Sequence, residues 1–230
     1  MKRIIESVFS LVSSSTCVVC ERVIAFGNVA ICHRCLGLLE RTYFEQIPQG
    51  NPLYAFFHPL YGIRSAWALF YFDKKGLLQK AIHALKYHGR KDVGITLGNY
   101  VGKMLLRHPF YQPLSFTLVP VPLHRKKLQK RGYNQSEWIA KGIAQRTGFS
   151  VSPHLLQRTR YTQTQTRLNR EERLHNVKGA IQLRQRIENE ELILVDDLVT
   201  TGATLMACLD ALGDLCQKTH IITLAIPRNL

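Results

Sequence analysis

Apolar residues at Leu78, Ala81, Ile82 and Leu85 recur at helical spacing, so residues 76–88 are expected to form one helix, with Gly89 as its stop. A second helix is expected over residues 92–107, with Asp92 as its cap and Pro109 beyond its end. Residues 116–121 read as a buried strand. Residues 137–146 read as a helix with Ile139, Ile143 and Ala144 inward. Residues 192–195 form a short apolar run, followed by a helical pattern over 203–215 and a further strand over 220–226. Strand, helix and strand at this spacing imply right-handed crossovers and a parallel sheet, hence an α/β fold. Residues 157–179 break the pattern. They are polar, rich in arginine and without periodicity, and a loop of that length inside a compact domain is usually functional.

The pattern before residue 51 is different. Cys17-Val18-Val19-Cys20 and Cys32-His33-Arg34-Cys35 are two C-x2-C pairs separated by eleven residues. Each such turn aims two thiolates at one point, and two turns supply the four soft ligands of a closed tetrahedral site. A structural Zn2+ on Cys17, Cys20, Cys32 and Cys35 is therefore expected, with no open position for zinc catalysis. Disulfides or unligated thiols are the competing readings, and His33 is expected to be a bystander. Cys208 and Cys216 lie on an apolar segment and read as buried thiols. The expected organisation is a zinc-binding module over residues 1–50 and a larger domain over residues 51–230.

The chain of 230 residues is 46% hydrophobic and 20% charged, which is globular composition. No run approaches the roughly 18 apolar residues of a membrane span, so no membrane insertion is expected. Lys2 and Arg3 precede Ile4-Ile5, but Glu6, Ser7 and Ser10 break the run that a signal peptide would need, and a cytoplasmic location is expected. The net charge is +15, and its distribution is uneven: +1 over residues 1–50, +7 over 51–119, +10 over 120–179 and −3 over 180–230. That central belt favours a polyanionic partner, either nucleic acid or a phosphorylated metabolite, against the plainer alternative of a solvated basic face.

The sharpest chemistry lies in the run from Leu192 to Thr204, which reads LILVDDLVTTGAT. A buried strand delivers two carboxylates at its carboxyl end, where open parallel sheets bind ligands. Small residues then allow backbone N–H groups to close on a phosphate at a helix amino terminus. Carboxylates beside a phosphate cradle repel it unless they have another task, and accepting hydrogen bonds from a sugar diol is the simplest one. The run therefore describes a ribose 5-phosphate site.

This run resembles the phosphoribosyl pyrophosphate motif of type I phosphoribosyltransferases. Residues 84–89 (ALKYHG), 119–124 (VPVPLH) and 131–135 (RGYNQ), with Arg173-x2-Asn176-Val177, are similar to the ComF/GntX family, which joins a four-cysteine zinc element to a phosphoribosyltransferase domain. The resemblance implies that Asp196 and Asp197 hold the ribose hydroxyls and that Thr200, Thr201, Gly202, Ala203 and Thr204 hold the 5-phosphate. It implies a pyrophosphate loop at Val121, Pro122, Leu123 and His124, and a flexible closing loop at 157–179. Pyrophosphate departure calls for Mg2+ and cations, for which Arg131 is the leading candidate and Arg125, Lys126 and Lys127 are further ones. Thr200 stands where hypoxanthine–guanine enzymes carry an acid, and no glutaminase domain accompanies the site, so the acceptor is left open. Family members are associated with DNA uptake, which extends the expected partners to single-stranded DNA and the DNA-uptake machinery, with Tyr133, Trp138 and Tyr161 as candidate base-stacking residues. The expected function is that of a phosphoribosyltransferase-like protein. The alternative is a non-catalytic, nucleotide-sensing protein that binds single-stranded DNA.

Overall fold

The computed structural model describes residues 15–24, 29–112, 115–160, 179–185, 187 and 190–229. The amino-terminal part holds a short antiparallel ribbon, β1 (Ser15–Thr16) and β2 (Val23–Ile24), and a one-turn helix α1 (His33–Gly37). Next come α2 (Pro52–Tyr61), β3 (Ser65–Tyr71), α3 (Leu77–Tyr87) and α4 (Lys91–Arg107). They are followed by β4 (Phe116–Pro120), α5 (Arg125–Arg131), α6 (Gln135–Thr147) and β5 (Ser150–Val151). A second antiparallel ribbon pairs β6 (Leu156–Arg158) with β7 (Ile181–Leu183). Strand β8 (Glu191–Leu198), helix α7 (Ala203–Leu212) and strand β9 (Thr219–Ile226) complete the order.

Five strands form one parallel sheet in the order β3-β9-β8-β4-β5. The chain is thus α/β with a parallel sheet and a cysteine cluster near its amino terminus, the arrangement expected of a phosphoribosyltransferase-like fold with a metal module. Strand β8 sits in the middle, and residues 192–197 are all buried. A strand covered on both faces reads as a continuous apolar run rather than an alternation, which is why LILV is its sequence signature.

Several boundaries differ from the sequence expectation. Strand β8 runs on through Asp196 and Asp197 to Leu198, because pairing with β9 continues past the apolar run. Helix α7 stops at Leu212, where Gly213 takes φ +56° and a tighter turn, Gly213–Lys218, follows. Asp92 is not the cap of α4: Arg90 precedes the helix, and the Asp92 carboxylate is held by the Arg90 guanidinium at 2.7 Å instead. Helix α6 starts at Gln135, two residues earlier than expected, after an Asn134 cap whose side chain accepts the Ser136 N–H.

Helices α4 and α6 pack backbone to backbone. Gly94, Gly98 and Gly102 form a smooth stripe, and a Cβ at Gly98 would lie 2.2 Å from the Ile139 carbonyl. The reciprocal Cβ at Gly142 would lie 2.5 Å from the Ile95 carbonyl. That close contact fixes α6 against β4 and β8, and so fixes where its first turn meets the sheet. The cysteine-bearing segment is tied to α4 and α3: Thr96 Oγ1 accepts the Ala30 N–H at 2.9 Å, and Lys80 Nζ reaches the Val19 carbonyl at 3.3 Å.

Candidate functional site

The two acids lie at the carboxyl end of the central strand. Asp196 and Asp197 are 9% and 4% exposed. Asp196 Oδ1 accepts the Ser136 hydroxyl at 3.1 Å and the Asp197 N–H at 2.9 Å. Burial, with the Asp197 charge beside it, raises the Asp196 carboxyl to about 7. Lys86 Nζ stands 2.5 Å from Asp197 Oδ2, off hydrogen-bond geometry, so the pair is held by charge and Oδ2 retains hydrogen-bonding capacity.

Thr200, Thr201, Gly202, Ala203 and Thr204 follow as the turn into α7 and, with Asp196, line a small concavity of 40 Å³. Gly202 starts the helix in the left-handed region at φ +76° and gives it no side-chain cap, so no capping side chain occupies the first-turn N–H groups. Only glycine fits there. A Cβ would lie 2.8 Å from Phe56 and 3.1 Å from Phe57 on α2, on top of the left-handed penalty.

The expected pyrophosphate loop begins beside the acids. The Val121 N–H donates to the Val195 carbonyl at 2.9 Å, one residue before Asp196. Val121 and Pro122 are buried, Leu123 and His124 half-buried, and His124 caps α5 through Nδ1. Asn134 Nδ2 donates to the Val121 carbonyl at 3.0 Å, so the first turn of α6 grips this loop through Asn134 and the acids through Ser136.

Cations crowd the same place. Burial, together with Arg158, Arg131 and Lys86 nearby, lowers the Lys127 ammonium to about 8. Burial also lowers Arg158, against the opposing pull of Asp196. Arg131 lies 5.3 Å over the Tyr87 ring, and its Nη1 is buried without a hydrogen-bond partner among the described residues. The sequence reading assigned roles to neither Lys86 nor Ser136. Lys86 borders the apolar stripe of α3 and Ser136 precedes that of α6, so hydrophobic spacing gave no signal for either. Lys127, one of the further pyrophosphate candidates, is half-buried, whereas Arg125 and Lys126 are exposed. Tyr133 is corrected as a base-stacking residue: it is 7% exposed and its hydroxyl donates to the Leu85 carbonyl. Trp138, whose place beside the apolar stripe of α6 favours core packing over base stacking, is half-buried against the core, with Lys91 and Lys141 at 5.0 and 4.6 Å from its ring. Tyr161 and Arg173-x2-Asn176-Val177 lie outside the described residues, as does most of the loop expected at 157–179. Ribbon β6–β7 stands at its base.

Cys17, Cys20, Cys32 and Cys35 bring their sulfur atoms within 4.8 Å of one another and could hold a metal ion. Four thiolates at about 2.3 Å from a tetrahedral metal have sulfur–sulfur edges of about 3.8 Å, and Cys20 Sγ and Cys32 Sγ are 3.8 Å apart. Burial opposes ionisation of Cys17, yet N–H groups from Cys32, Cys20 and Val19 overcome it and bring the thiol to about 6. Burial and the neighbouring cysteines push Cys35 up to about 12. His33 is exposed and outside the cluster, and Cys208 and Cys216 are buried, both as expected.

No helix among the described residues is long and apolar enough to cross a membrane. No family model matches the chain. Among curated proteins, the DNA utilization protein YhgH of Salmonella typhi is 31% identical over 129 residues, which are 55% of this chain and 57% of that protein. Competence protein F of Haemophilus influenzae is 31% identical over 95 residues, 40% of this chain and 42% of that one. Competence protein ComFC of Bacillus subtilis is 34% identical over 95 residues, 41% and 37% of the two chains. The chain thus spans about half the length of the curated relatives it matches. Those relatives are the ComF family, to which this chain is similar at 31–34% identity over 40–55% of its length.

Proposed function

We propose that the chain binds phosphoribosyl pyrophosphate and works as a phosphoribosyltransferase-like protein in the handling of incoming DNA. The observation that carries the reading is the coincidence of opposite charges at the carboxyl end of the sheet. Two buried acids sit between an uncapped helix start and four cations that lie within one another's field. Such an assembly is costly without a ligand that offers hydroxyls to the acids and phosphates to the cations, and a pentose carrying both does so. Asp196 and Asp197 take the ribose hydroxyls. Residues 200–204 take the 5-phosphate, and residues 121–124 with Lys127, Arg131 and Arg158 take the pyrophosphate. Mg2+ entering with the ligand would supply positive charge that stabilises pyrophosphate as a leaving group. The chain's own residues position the sugar and keep its charges paired. The cysteine cluster takes Zn2+ as a closed structural site, because soft sulfur ligands at a tetrahedral edge length suit that ion. The DNA connection rests on the names of the relatives and on the basic α5.

Titration calorimetry with phosphoribosyl pyrophosphate and Mg2+ tests the site. Wild type is expected to bind. Asp196→Asn/Asp197→Asn should weaken binding by at least roughly tenfold, since charge-assisted hydrogen bonds contribute about 1.5–3 kcal/mol each. Equal affinity in the double variant would show that the acids do not hold the sugar.

A further inference from the structure

One short motif supplies more than the site has so far used. In residues 131–135, Gly132 takes φ +78° to end α5, Tyr133 anchors to the Leu85 carbonyl of α3, and Asn134 caps α6 while holding Val121. These three side chains or backbones are accounted for by the fold. Gln135 is not. It is 5% exposed, and its amide oxygen is buried with no hydrogen-bond partner among the described residues. Buried polar atoms in folded proteins are overwhelmingly paired, so an orphan of this kind calls for a partner that arrives from outside.

Its place says which partner. Asn134, on one side, reaches the pyrophosphate loop at 3.0 Å, and Ser136, on the other, reaches Asp196 at 3.1 Å. The backbone of Gln135 thus lies between the two residues that grip the two subsites, and Arg131 Nη1, at the start of the same motif, is likewise buried without a hydrogen-bond partner among the described residues. The phosphates of a phosphorylated sugar at neutral pH only accept hydrogen bonds, and its ring hydroxyls are its donors. A carbonyl oxygen repels the former and suits the latter. A neutral amide also adds no negative charge beside the pyrophosphate, as a third carboxylate would. Arg131 Nη1 has the opposite polarity and suits a phosphate oxygen.

We propose that Gln135 is a specificity-determining residue that accepts a hydrogen bond from a ring hydroxyl of the bound ribose phosphate, so that the site selects ribose over deoxyribose. This inference rests on the ribose reading above. The test measures affinities of ribose 5-phosphate and of its 2-deoxy and 3-deoxy analogues for the full chain, in wild type, Gln135→Leu and Gln135→Glu. Wild type should prefer ribose 5-phosphate. The leucine variant, of similar volume, should lose about three- to tenfold of the preference over one analogue, the range of a single neutral hydrogen bond. The glutamate variant keeps the acceptor and should retain that preference. A purely structural role for Gln135 would weaken all three ligands alike and leave their ratios unchanged, which would overturn the inference and leave the ribose site standing. Failure of wild type to bind ribose 5-phosphate or phosphoribosyl pyrophosphate at all would overturn both.

Discussion

Replacing Lys86 by methionine removes the cation paired with Asp197 and keeps most of the side-chain volume. The Lys86 and Asp197 side chains are 18% and 6% exposed and 2.5 Å apart, so water screens them little. Breaking a buried ion pair from one side costs about 3–5 kcal/mol, because the remaining charge is stranded. Here the acids have an escape, namely taking up a proton. Asp196 already holds its proton to about 7 in the wild type, with Lys86 working to lower it. A carboxyl raised in the folded state contributes stability that is full below its unfolded value of 3.8 and lost as pH rises through about 7. Losing Lys86 removes a charge that lowers Asp196, so that carboxyl rises further and the loss extends to higher pH, by about 1.4 kcal/mol per pH unit. Urea denaturation should therefore show Lys86→Met destabilised by about 2 kcal/mol near pH 6 and by about 3–5 kcal/mol near pH 8.5. Adding Asp197→Asn should restore much of the loss at the higher pH, which a double-mutant cycle reads directly. A loss below about 1 kcal/mol, or the same loss at both pH values, would refute the buried-pair reasoning, since an exposed pair contributes about that little.

Purified protein should carry about one equivalent of zinc, as a closed four-ligand site requires. Chelation or Cys20→Ser should release it and loosen residues 15–39 in hydrogen exchange, whereas disulfides in native mass spectra would contradict the cluster. His220 is 1% exposed, bonded to Ser65 Oγ at 2.7 Å and Glu191 at 3.0 Å, and burial lowers its ring to about 4. Its contribution to stability is present above the ordinary value of 6.5 and lost as pH falls through about 4, so its ring resonances should not titrate until the protein nears acid unfolding. Single-stranded DNA should bind with a log–log salt slope of about −0.7 per phosphate contacted. Neutralising the exposed Arg125, Lys126 and Lys130 on α5 should flatten that slope, and a salt-independent signal would reduce α5 to a solvated face.

What the sequence determined is what local spacing can encode. The C-x2-C pairs place their sulfurs by local turn geometry, and the cluster forms. The apolar stripe at Leu78, Ala81, Ile82 and Leu85 sets helix α3, and the LILV run sets the core of β8, because period and burial are readable one element at a time. The DDLVTTGAT run holds acids, turn and helix start in one contiguous stretch, so the ribose-phosphate reading needed no distant contact. Tertiary structure decided the rest. Lys86 and Asp197 are 111 positions apart in the chain, and only packing of α3 on the sheet makes them an ion pair. Ser136 reaches Asp196 across 60 positions because the α4 glycines let α6 approach closely enough to bring its first turn to the strand end. Tyr133 reads as an exposed aromatic among basic residues, yet its hydroxyl finds a backbone acceptor on α3 and it is buried. In each case the deciding quantity is a distance between elements, and that distance depends on the shapes of two surfaces at once, which no single stretch of sequence records.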